Sequence, residues 1–327
     1  MAPTRRSRAD REPVTGTFTI PRSEPGRAGS DNSETRQRQA PRSVQRPDTR
    51  RRAGGREPKS PGSRSSELIG RVLVAIPAVI LAVAFADLGG IGWTLLMALL
   101  GLACLSELYR MLDSWRPLTV AGFIAVAGMA LAAHYGGDRY VAGAGLAVLP
   151  LAFFGIIYRG EEERPTVALA ATVFGVLWIG FAFAHGVLLR DLPHGKGLII
   201  DVMVGTFIAD IAAYFGGRWF GRHPLAPAIS PNKTVEGLFC GGIAAILAVF
   251  CAAIYQSWMP HGTALLIGLA IAIFGPLGDL FESLIKRDSG VKDAGNMFGA
   301  HGGALDRLDA ASFTVIAVYY VWVCIPH

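Results

Sequence analysis

The residues with the clearest capacity for chemistry lie near the carboxyl end of the chain, in the segment 283–309, SLIKRDSGVKDAGNMFGAHGGALDRLD. This segment combines basic and acidic side chains, a histidine and repeated glycines, directly behind an apolar stretch that already carries Asp279 and Glu282. Ionisable groups inside apolar spans are costly and mark functional sites by default. The combination therefore predicts a site that binds a charged ligand.

The apolar stretch 262–285 predicts a helix whose polar residues share one side. Positions three and four apart lie on the same face of a helix, so one stripe carries Gly275, Asp279, Glu282 and Lys286. An ionised Asp in the hydrocarbon region costs about 2.5–3.5 kcal/mol even on lenient insertion scales, so Asp279 is expected to face protein, metal or water. The structural alternative is a salt bridge from Asp279 to Lys286 or Arg287.

Two further carboxylates, Asp306 and Asp309, open the last apolar stretch and lie three residues apart. Both can project toward the inner end of the preceding helix. Carboxylate oxygens are hard donors that suit Mg²⁺, which binds through one or two carboxylates plus substrate phosphates. The pattern indicates a divalent cation beside a phosphate-bearing ligand, with Asp309 as a ligand, a support for a ligand, or a charge at the helix N-terminus.

The loop between these helices predicts phosphate binding. Its glycines free the backbone to turn sharply and to present amides to anionic oxygens, and they are Gly295, Gly299, Gly302 and Gly303. Countercharge for a triphosphate is available from Lys286, Arg287, Lys292, His301 and Arg307. Ordinary positive charge on the cytoplasmic side is the alternative for the cations, but it leaves the glycines and the paired aspartates without a reason.

A second group of candidate residues begins with Asp210 and Tyr214 and continues into the segment 230–237, SPNKTVEG. Pro231 stops regular structure, and Lys233 offers a contact to phosphate. Residues Thr234 to Glu236 can start the next helix with its free amides directed toward an anion. The alternatives are that Ser230 or Thr234 is a simple helix cap and that Asp210 forms an interhelical hydrogen bond.

The composition predicts the kind of scaffold that positions these groups. Of 327 residues, 51% are hydrophobic and 17% are charged, which is too apolar for an ordinary soluble domain. Residues 1–66 hold 16 of the 31 basic and 7 of the 25 acidic side chains, so the remainder is slightly acidic although the formal net charge is +6. The segment 1–66 is rich in Arg, Pro, Ser and Gly, and we expect a disordered cytoplasmic tail before a transmembrane catalytic domain at 67–327.

The fold class expected for residues 67–327 is all-α, a polytopic transmembrane bundle. A span needs about 20 apolar residues. Nine stretches meet that requirement: 68–86, 91–111, 117–135, 140–158, 166–189, 197–217, 235–257, 262–285 and 308–325. The joints between them are short and carry Gly, Pro, Asp or charged residues, as turns do.

The orientation follows from the Lys and Arg residues in the short loops, which concentrate on the cytoplasmic side of membranes. With a cytoplasmic N-terminus, the inner loops hold eleven of them and the outer loops three. This distribution predicts a C-terminus outside and places the two longest inner loops, 218–234 and 286–307, in the cytosol. Both loops carry the candidate residues.

These residues together resemble the signature of the phosphatidate cytidylyltransferases, also called CDP-diacylglycerol synthases. The matching positions are Ser283, Lys286, Arg287, Lys292, Asp293, Gly295, Phe298, Gly299, His301, Gly302, Gly303, Asp306, Arg307 and Asp309. The Asp210, Tyr214 and SPNKTVEG group resembles an earlier element of the same family. Ala304 departs from the pattern, which usually has a larger aliphatic residue at this position.

The resemblance implies an enzyme that transfers CMP from CTP to phosphatidic acid, giving CDP-diacylglycerol and pyrophosphate for phospholipid biosynthesis. In that family the aspartates matching Asp279 and Asp306 bind Mg²⁺, and the resemblance leaves open a second cation such as K⁺. It implies a multi-pass protein of the cell membrane with its active site facing the cytoplasm, in contact with membrane lipids. A homodimer is common in the family, and no nucleic-acid partner is expected.

Two rival functions stay open at the level of sequence. An ion-coupled transporter also places aspartates and glycine-broken helices inside a bundle, but near the middle of the bilayer. A CDP-alcohol phosphatidyltransferase needs a DGxxAR-type aspartate pattern, which the sequence lacks.

Overall fold

The computed structural model describes residues 77–160, 163–295 and 302–325. The predicted tail at 1–66 lies outside these residues. The described chain is almost entirely helical: α1 (Pro77–Leu88), α2 (Gly90–Met111), α3 (Thr119–Gly136), α4 (Asp138–Leu146), α5 (Val148–Arg159), α6 (Pro165–Gly175), α7 (Phe181–Asp191), α8 (Gly195–Phe220), α9 (Val235–Tyr255), α10 (His261–Asp288) and α11 (Leu305–Cys324). A 3₁₀ turn, Asp113–Trp115, follows α2, and a π-helical segment, Val176–Gly180, joins α6 to α7.

Eight of the predicted spans are confirmed as helical segments long and apolar enough to cross a membrane. Two of them combine consecutive helices: α4 with α5 over Asp138–Arg159, and α6 with α7 over Pro165–Asp191. The first predicted span, 68–86, overlaps the shorter apolar helix α1, and its earlier residues lie outside those described. The all-α transmembrane class is confirmed.

The helices α8 and α9 pack closely because glycines lie at their crossing. A Cβ at Gly241 would lie 2.8 Å from the backbone oxygen of Ala209, and one at Gly237 would lie 2.7 Å from that of Ala213. Small residues allow helix backbones to approach in this way inside membranes. The close crossing holds the carboxyl end of α8 against the start of α9, where candidate residues were predicted.

A short antiparallel hairpin connects these two helices, and the sequence did not indicate it. Its strands are β1 (Pro224–Ala226) and β2 (Ser230–Thr234), with Pro224 opposite Thr234 and Ala226 opposite Ser230. Pro231 was expected to stop regular structure, yet it lies inside β2. A two-stranded ribbon consists of edge strands, where a proline can leave its missing N–H on the open side.

Helix α10 contacts both α9 and α11 and carries a proline, Pro276, in its interior. Pro276 has no N–H for the carbonyl of Ala272, one turn earlier. On the other side of α10, a Cβ at Gly278 would overlap the backbone oxygen of Asp309 in α11. This close crossing brings the carboxylates at the end of α10 next to those at the start of α11.

Candidate functional site

A cavity of about 650 Å³ lies between α8, α9, α10 and the hairpin. Its polar lining includes Asp210 and Tyr214 from α8, Lys233 from β2 and Asp279 from α10. Apolar walls come from residues such as Leu238 and Ile271. Volumes of roughly 300–1,000 Å³ with a few converging polar groups are usual for ligand sites. The cavity thus brings Asp279 of the carboxyl-terminal group together with Asp210, 69 positions earlier in the sequence, and with Lys233, 46 positions earlier.

Asp279 forms an ion pair with Lys233 inside this cavity. The sequence alternative, a salt bridge from Asp279 to Lys286 or Arg287, is not what the structure has. The other carboxylate oxygen of Asp279 accepts a bond of 3.4 Å from the Ser283 hydroxyl. The Asp279 side chain stays 36% exposed, so it remains accessible to a ligand in the cavity.

Lys286 links α10 to α11 through two carboxylates. Its Nζ donates to Glu282 Oε2 at 2.7 Å and to Asp306 Oδ1 at 2.9 Å. Asp306 also accepts from the backbone N of Gly303 at 2.7 Å and from that of Ala294 at 3.1 Å. Hydrogen bonds to an ionised group contribute about 1.5–3 kcal/mol each, so Asp306 is held firmly where the two ends of the glycine loop meet.

One amide of the glycine-rich loop has a partner within the protein, contrary to the prediction from the sequence. We expected free amides for a ligand, and the Gly303 amide serves the chain's own Asp306. Gly302 does require the left-handed region, with a φ of 84°. Gly299 and His301 lie outside the described residues, so their predicted contacts stay predictions.

The donor chemistry of this region fits a hard divalent cation. Four carboxylates, Asp279, Glu282, Asp306 and Asp309, lie within one turn of the α10–α11 crossing, and Glu282 is fully buried. Its Oε1 accepts no hydrogen bond from a donor among the described residues. Within the described ranges, no three His, Cys, Asp or Glu side chains already form a preassembled metal cluster.

The remaining residues of the second group hold the hairpin or line the cavity. Thr234 caps α9, because its Oγ1 accepts from the Gly237 amide at 3.1 Å, and it also lines the cavity. Tyr214 accepts from Arg218 at 3.2 Å. Ser230 begins β2 opposite Ala226. The cap alternative is thus confirmed for Thr234, while Asp210 faces the cavity.

Arg287 and Glu236 anchor the hairpin from its two ends. Arg287 Nε donates to the backbone oxygen of Ile229 at 3.1 Å, just before β2. Glu236 accepts from the His223 ring at 2.6 Å and from the His223 backbone N at 3.2 Å. These contacts fix the strand that carries Lys233.

Lys292 follows α10, while Arg307 and Asp309 lie in α11 close in sequence to Asp306. Lys292 and Arg307 are exposed, and Arg307 lies in the first turn of α11. Asp309 is half-buried and accepts from the Ala310 amide at 2.8 Å. Their predicted roles as phosphate contacts or metal ligands stay predictions.

Sequence reasoning missed one acidic residue, Glu107 of α2. It is fully buried, and its Oε2 accepts from the backbone N of Leu305 at 2.9 Å. The rule that intramembrane carboxylates are costly, which drew attention to Asp279, applies equally to a lone glutamate in an apolar stretch. That signal was present in the sequence.

Comparisons with known proteins agree in pointing to one family. A model described as the cytidylyltransferase family matches residues 69–325. A phosphatidate cytidylyltransferase of Bacillus subtilis is 34% identical over 265 residues, covering 77% of this chain and 96% of that protein. One of Mycobacterium tuberculosis is 28% identical over 275 residues, covering 79% of this chain and 80% of that protein. One of Pseudomonas aeruginosa is 46% identical over 144 residues, covering 43% and 53%.

Proposed function

The chain belongs to the cytidylyltransferase family, and on that premise we propose that it transfers CMP from CTP to phosphatidic acid. The products are CDP-diacylglycerol, a precursor in phospholipid biosynthesis, and pyrophosphate. The observation that carries the proposal is the convergence of Asp210, Lys233 and Asp279 on one cavity, next to the Lys286–Asp306 pair. Cations and carboxylates that meet beside a partly apolar wall suit a nucleotide and a lipid phosphate together.

The reaction needs positioning and charge compensation more than proton transfer. An oxygen of the phosphatidic acid phosphate attacks the α-phosphorus of CTP, a new P–O bond forms, and the bond to the β-phosphate breaks. The attacking phosphate is already ionised near neutral pH, so a general base is barely required. Positioned cations supply most of what such phosphoryl chemistry demands of a protein.

Two lysines are placed to meet the phosphates. Lys233 is held at the cavity by its ion pair with Asp279, and Lys286 is held by Glu282 and Asp306. Each can exchange a carboxylate partner for a phosphate oxygen when substrate enters. Arg287, Lys292 and Arg307 add positive charge at the same end of the bundle.

Asp279 and Asp306 would hold Mg²⁺, with Glu282 and Asp309 nearby, since carboxylate oxygens are its preferred protein ligands. When bound there, a divalent cation would supply positive charge to offset the negative charge that builds on the leaving group. The effect of a second cation such as K⁺ can be measured by adding it to the activity assay described below.

The site is proposed to face the cytoplasm, where nucleotides are found. The excess of Lys and Arg in the loops on its side supports this orientation. The proposal puts the protein in the cell membrane, with the lipid tails of the substrate in the bilayer. The homodimer implied by the resemblance stays a prediction.

An assay with purified protein in detergent tests the proposed function. CTP, phosphatidic acid and Mg²⁺ should yield lipid-linked CMP and an equal amount of pyrophosphate, and chelation of Mg²⁺ should stop the reaction. Asp279→Asn and Asp306→Asn should each lower kcat by more than about 100-fold, because each removes a carboxylate proposed to hold the cation.

Asp87→Asn is the matched control, because Asp87 also pairs with a lysine, Lys196, away from the cavity. It should retain the activity of the wild type. Absence of lipid-linked CMP with the wild type would refute the proposed function. Normal turnover in both site variants would refute the metal site.

A further inference from the structure

Glu107 reaches the candidate site from a helix far away in sequence. It lies in α2, it is fully buried, and its partner Leu305 lies 198 residues later. Its second oxygen, Oε1, has no hydrogen-bond partner among the described residues, and the guanidinium of Arg110 lies 3.8 Å away. A buried carboxylate is costly unless something requires it there.

The backbone contact places Glu107 at the beginning of α11. The first amides of a helix lack partners within the helix, and a side-chain oxygen usually satisfies one of them. The residue before α11 is Ala304, whose side chain cannot accept a hydrogen bond. Glu107 supplies the missing acceptor from α2, and its negative charge also suits the positive end of the helix dipole.

Two glycines that bracket the loop make room for this carboxylate. A Cβ at Gly295 or at Gly303 would overlap the carboxylate of Glu107. Neither glycine has the positive φ that would require glycine for backbone reasons. The space taken by Glu107 is therefore the reason that the structure offers for glycine at these two positions of the signature.

We propose that Glu107 is a positioning residue that sets the place of Asp306. It fixes the Leu305 amide and contacts Gly295 and Gly303, while the Gly303 amide in turn donates to Asp306. Through these contacts α2 holds both ends of the glycine loop around the carboxylate. The catalytic consequence rests on the proposed function, whereas the structural consequence does not.

Steady-state kinetics of three variants test the catalytic consequence. Glu107→Ala should lower kcat roughly 10-fold to 100-fold, the usual effect of losing a residue that orients a ligand-binding group. The KM for CTP should change little, because Glu107 does not line the cavity. Glu107→Gln keeps an oxygen acceptor of the same shape and should recover most of the activity, while the shorter Glu107→Asp should recover less.

Asp201→Asn is the matched control. Asp201 is also a buried carboxylate with a contact between segments, because it accepts from Gln256 at 2.9 Å, but it lies toward the other end of α8. It should keep the kcat of the wild type. If Glu107→Ala turns over as fast as the wild type, the positioning role is refuted.

Hydrogen exchange of the full-length protein tests the structural consequence without any activity. In Glu107→Ala, amides of the peptide covering residues 302–306 should exchange at least about tenfold faster, because the Leu305 amide loses its acceptor and Gly303 loses the carboxylate packed against it, which loosens its bond to Asp306. The Asp201→Asn variant should show unchanged exchange there. Unchanged exchange in Glu107→Ala would overturn the proposal even in an active enzyme.

A double variant tests the assignment of the glycines. Gly303→Ala alone should lose activity, since its Cβ overlaps Glu107. Combined with Glu107→Ala, it should cost no more than Glu107→Ala alone, because the space is then free and the two losses are coupled. If the loss of activity in the double variant equals the product of the losses in the two single variants, the link between Gly303 and Glu107 is refuted. Failure of the wild type to transfer CMP would refute the proposed function, while the exchange result would still decide the role of Glu107.

Discussion

At the scale of single residues, the site depends on two lysines that hold its carboxylates. Lys233 pairs with Asp279 at the cavity, and Lys286 pairs with Glu282 and Asp306 between α10 and α11. The first pair is partly exposed and can exchange its partners easily. The second pair is largely buried, and loss of one partner leaves a charge without compensation. The two lysines should therefore differ in what their removal does.

Removal of Lys233 should weaken nucleotide binding. Lys233→Met should raise the KM for CTP more than about tenfold, because a charged hydrogen bond to phosphate is lost. Lys233→Arg keeps the charge but changes its geometry, and it should recover only part of the affinity. Lys196→Met, which removes a lysine paired with Asp87 elsewhere, is the control. An unchanged KM in Lys233→Met would exclude Lys233 from the nucleotide site.

Removal of Lys286 should destabilise the fold. Lys286→Met leaves Glu282 and Asp306 together without their cation, which should lower the free energy of unfolding by about 3–5 kcal/mol. The double variant Glu282→Gln with Lys286→Met removes one of the facing charges and should be more stable than Lys286→Met alone. Thermal unfolding in detergent measures both, and equal stability of Lys286→Met and the wild type would contradict the role of this pair.

At the scale of elements, the α10–α11 crossing sets the distance between the two carboxylate groups. The crossing is close because Gly278 lies against the backbone of Asp309, which cannot move aside like a flexible side chain. The α8–α9 crossing depends on glycines in the same way, and the hairpin between these helices carries Lys233. Glycine positions thus determine how closely the helices that carry the site approach.

Two matched substitutions test the α10–α11 crossing. Gly278→Ala should lower the free energy of unfolding by about 1–3 kcal/mol, the usual cost of overpacking. Gly128→Ala in α3 should be neutral or stabilising by up to about 1 kcal/mol, since no described atom lies within 4 Å of the added Cβ and alanine favours a helix. Thermal unfolding measures the stability of both variants. Equal changes in stability for Gly278→Ala and Gly128→Ala would contradict the close crossing.

At the scale of the whole molecule, every element of the site lies at one end of the bundle. Helices α8 and α10 end there, α9 and α11 begin there, and α2 reaches the same end through Glu107. Because the spans alternate in direction, this end and the loops richest in Lys and Arg coincide. The proposed cytoplasmic orientation follows from that coincidence.

Cysteine labelling in cells tests the orientation. In a background without the four native cysteines, Asp138→Cys in the α3–α4 joint should react with a membrane-impermeant maleimide in intact cells. Asp113→Cys, after α2, should react only once the membrane is opened. Both positions are exposed in the structure. The reverse pattern would place the site outside and contradict the proposed use of cytosolic CTP.

The sequence by itself determined the helical membrane fold and most of the candidate site. Apolar stretches of span length form helices wherever the chain enters lipid, since every backbone group must be bonded internally. A charged residue in or beside such a stretch costs free energy in the membrane and therefore indicates a functional site. Asp279, Asp306 and Lys286 were predicted as site residues for this reason. Both signals are local, so they can be read along the chain.

Only the tertiary structure decided which of these groups meet. The pairing of Asp279 with Lys233 instead of Lys286 and the contact of Glu107 with the start of α11 both join residues far apart in sequence. Such contacts depend on how closely helices cross, and that depends on the facing side chains of both helices at once. The carboxylate in α2 and the two glycines almost 200 residues later come into contact only in the folded protein, so the sequence alone does not show that they depend on each other.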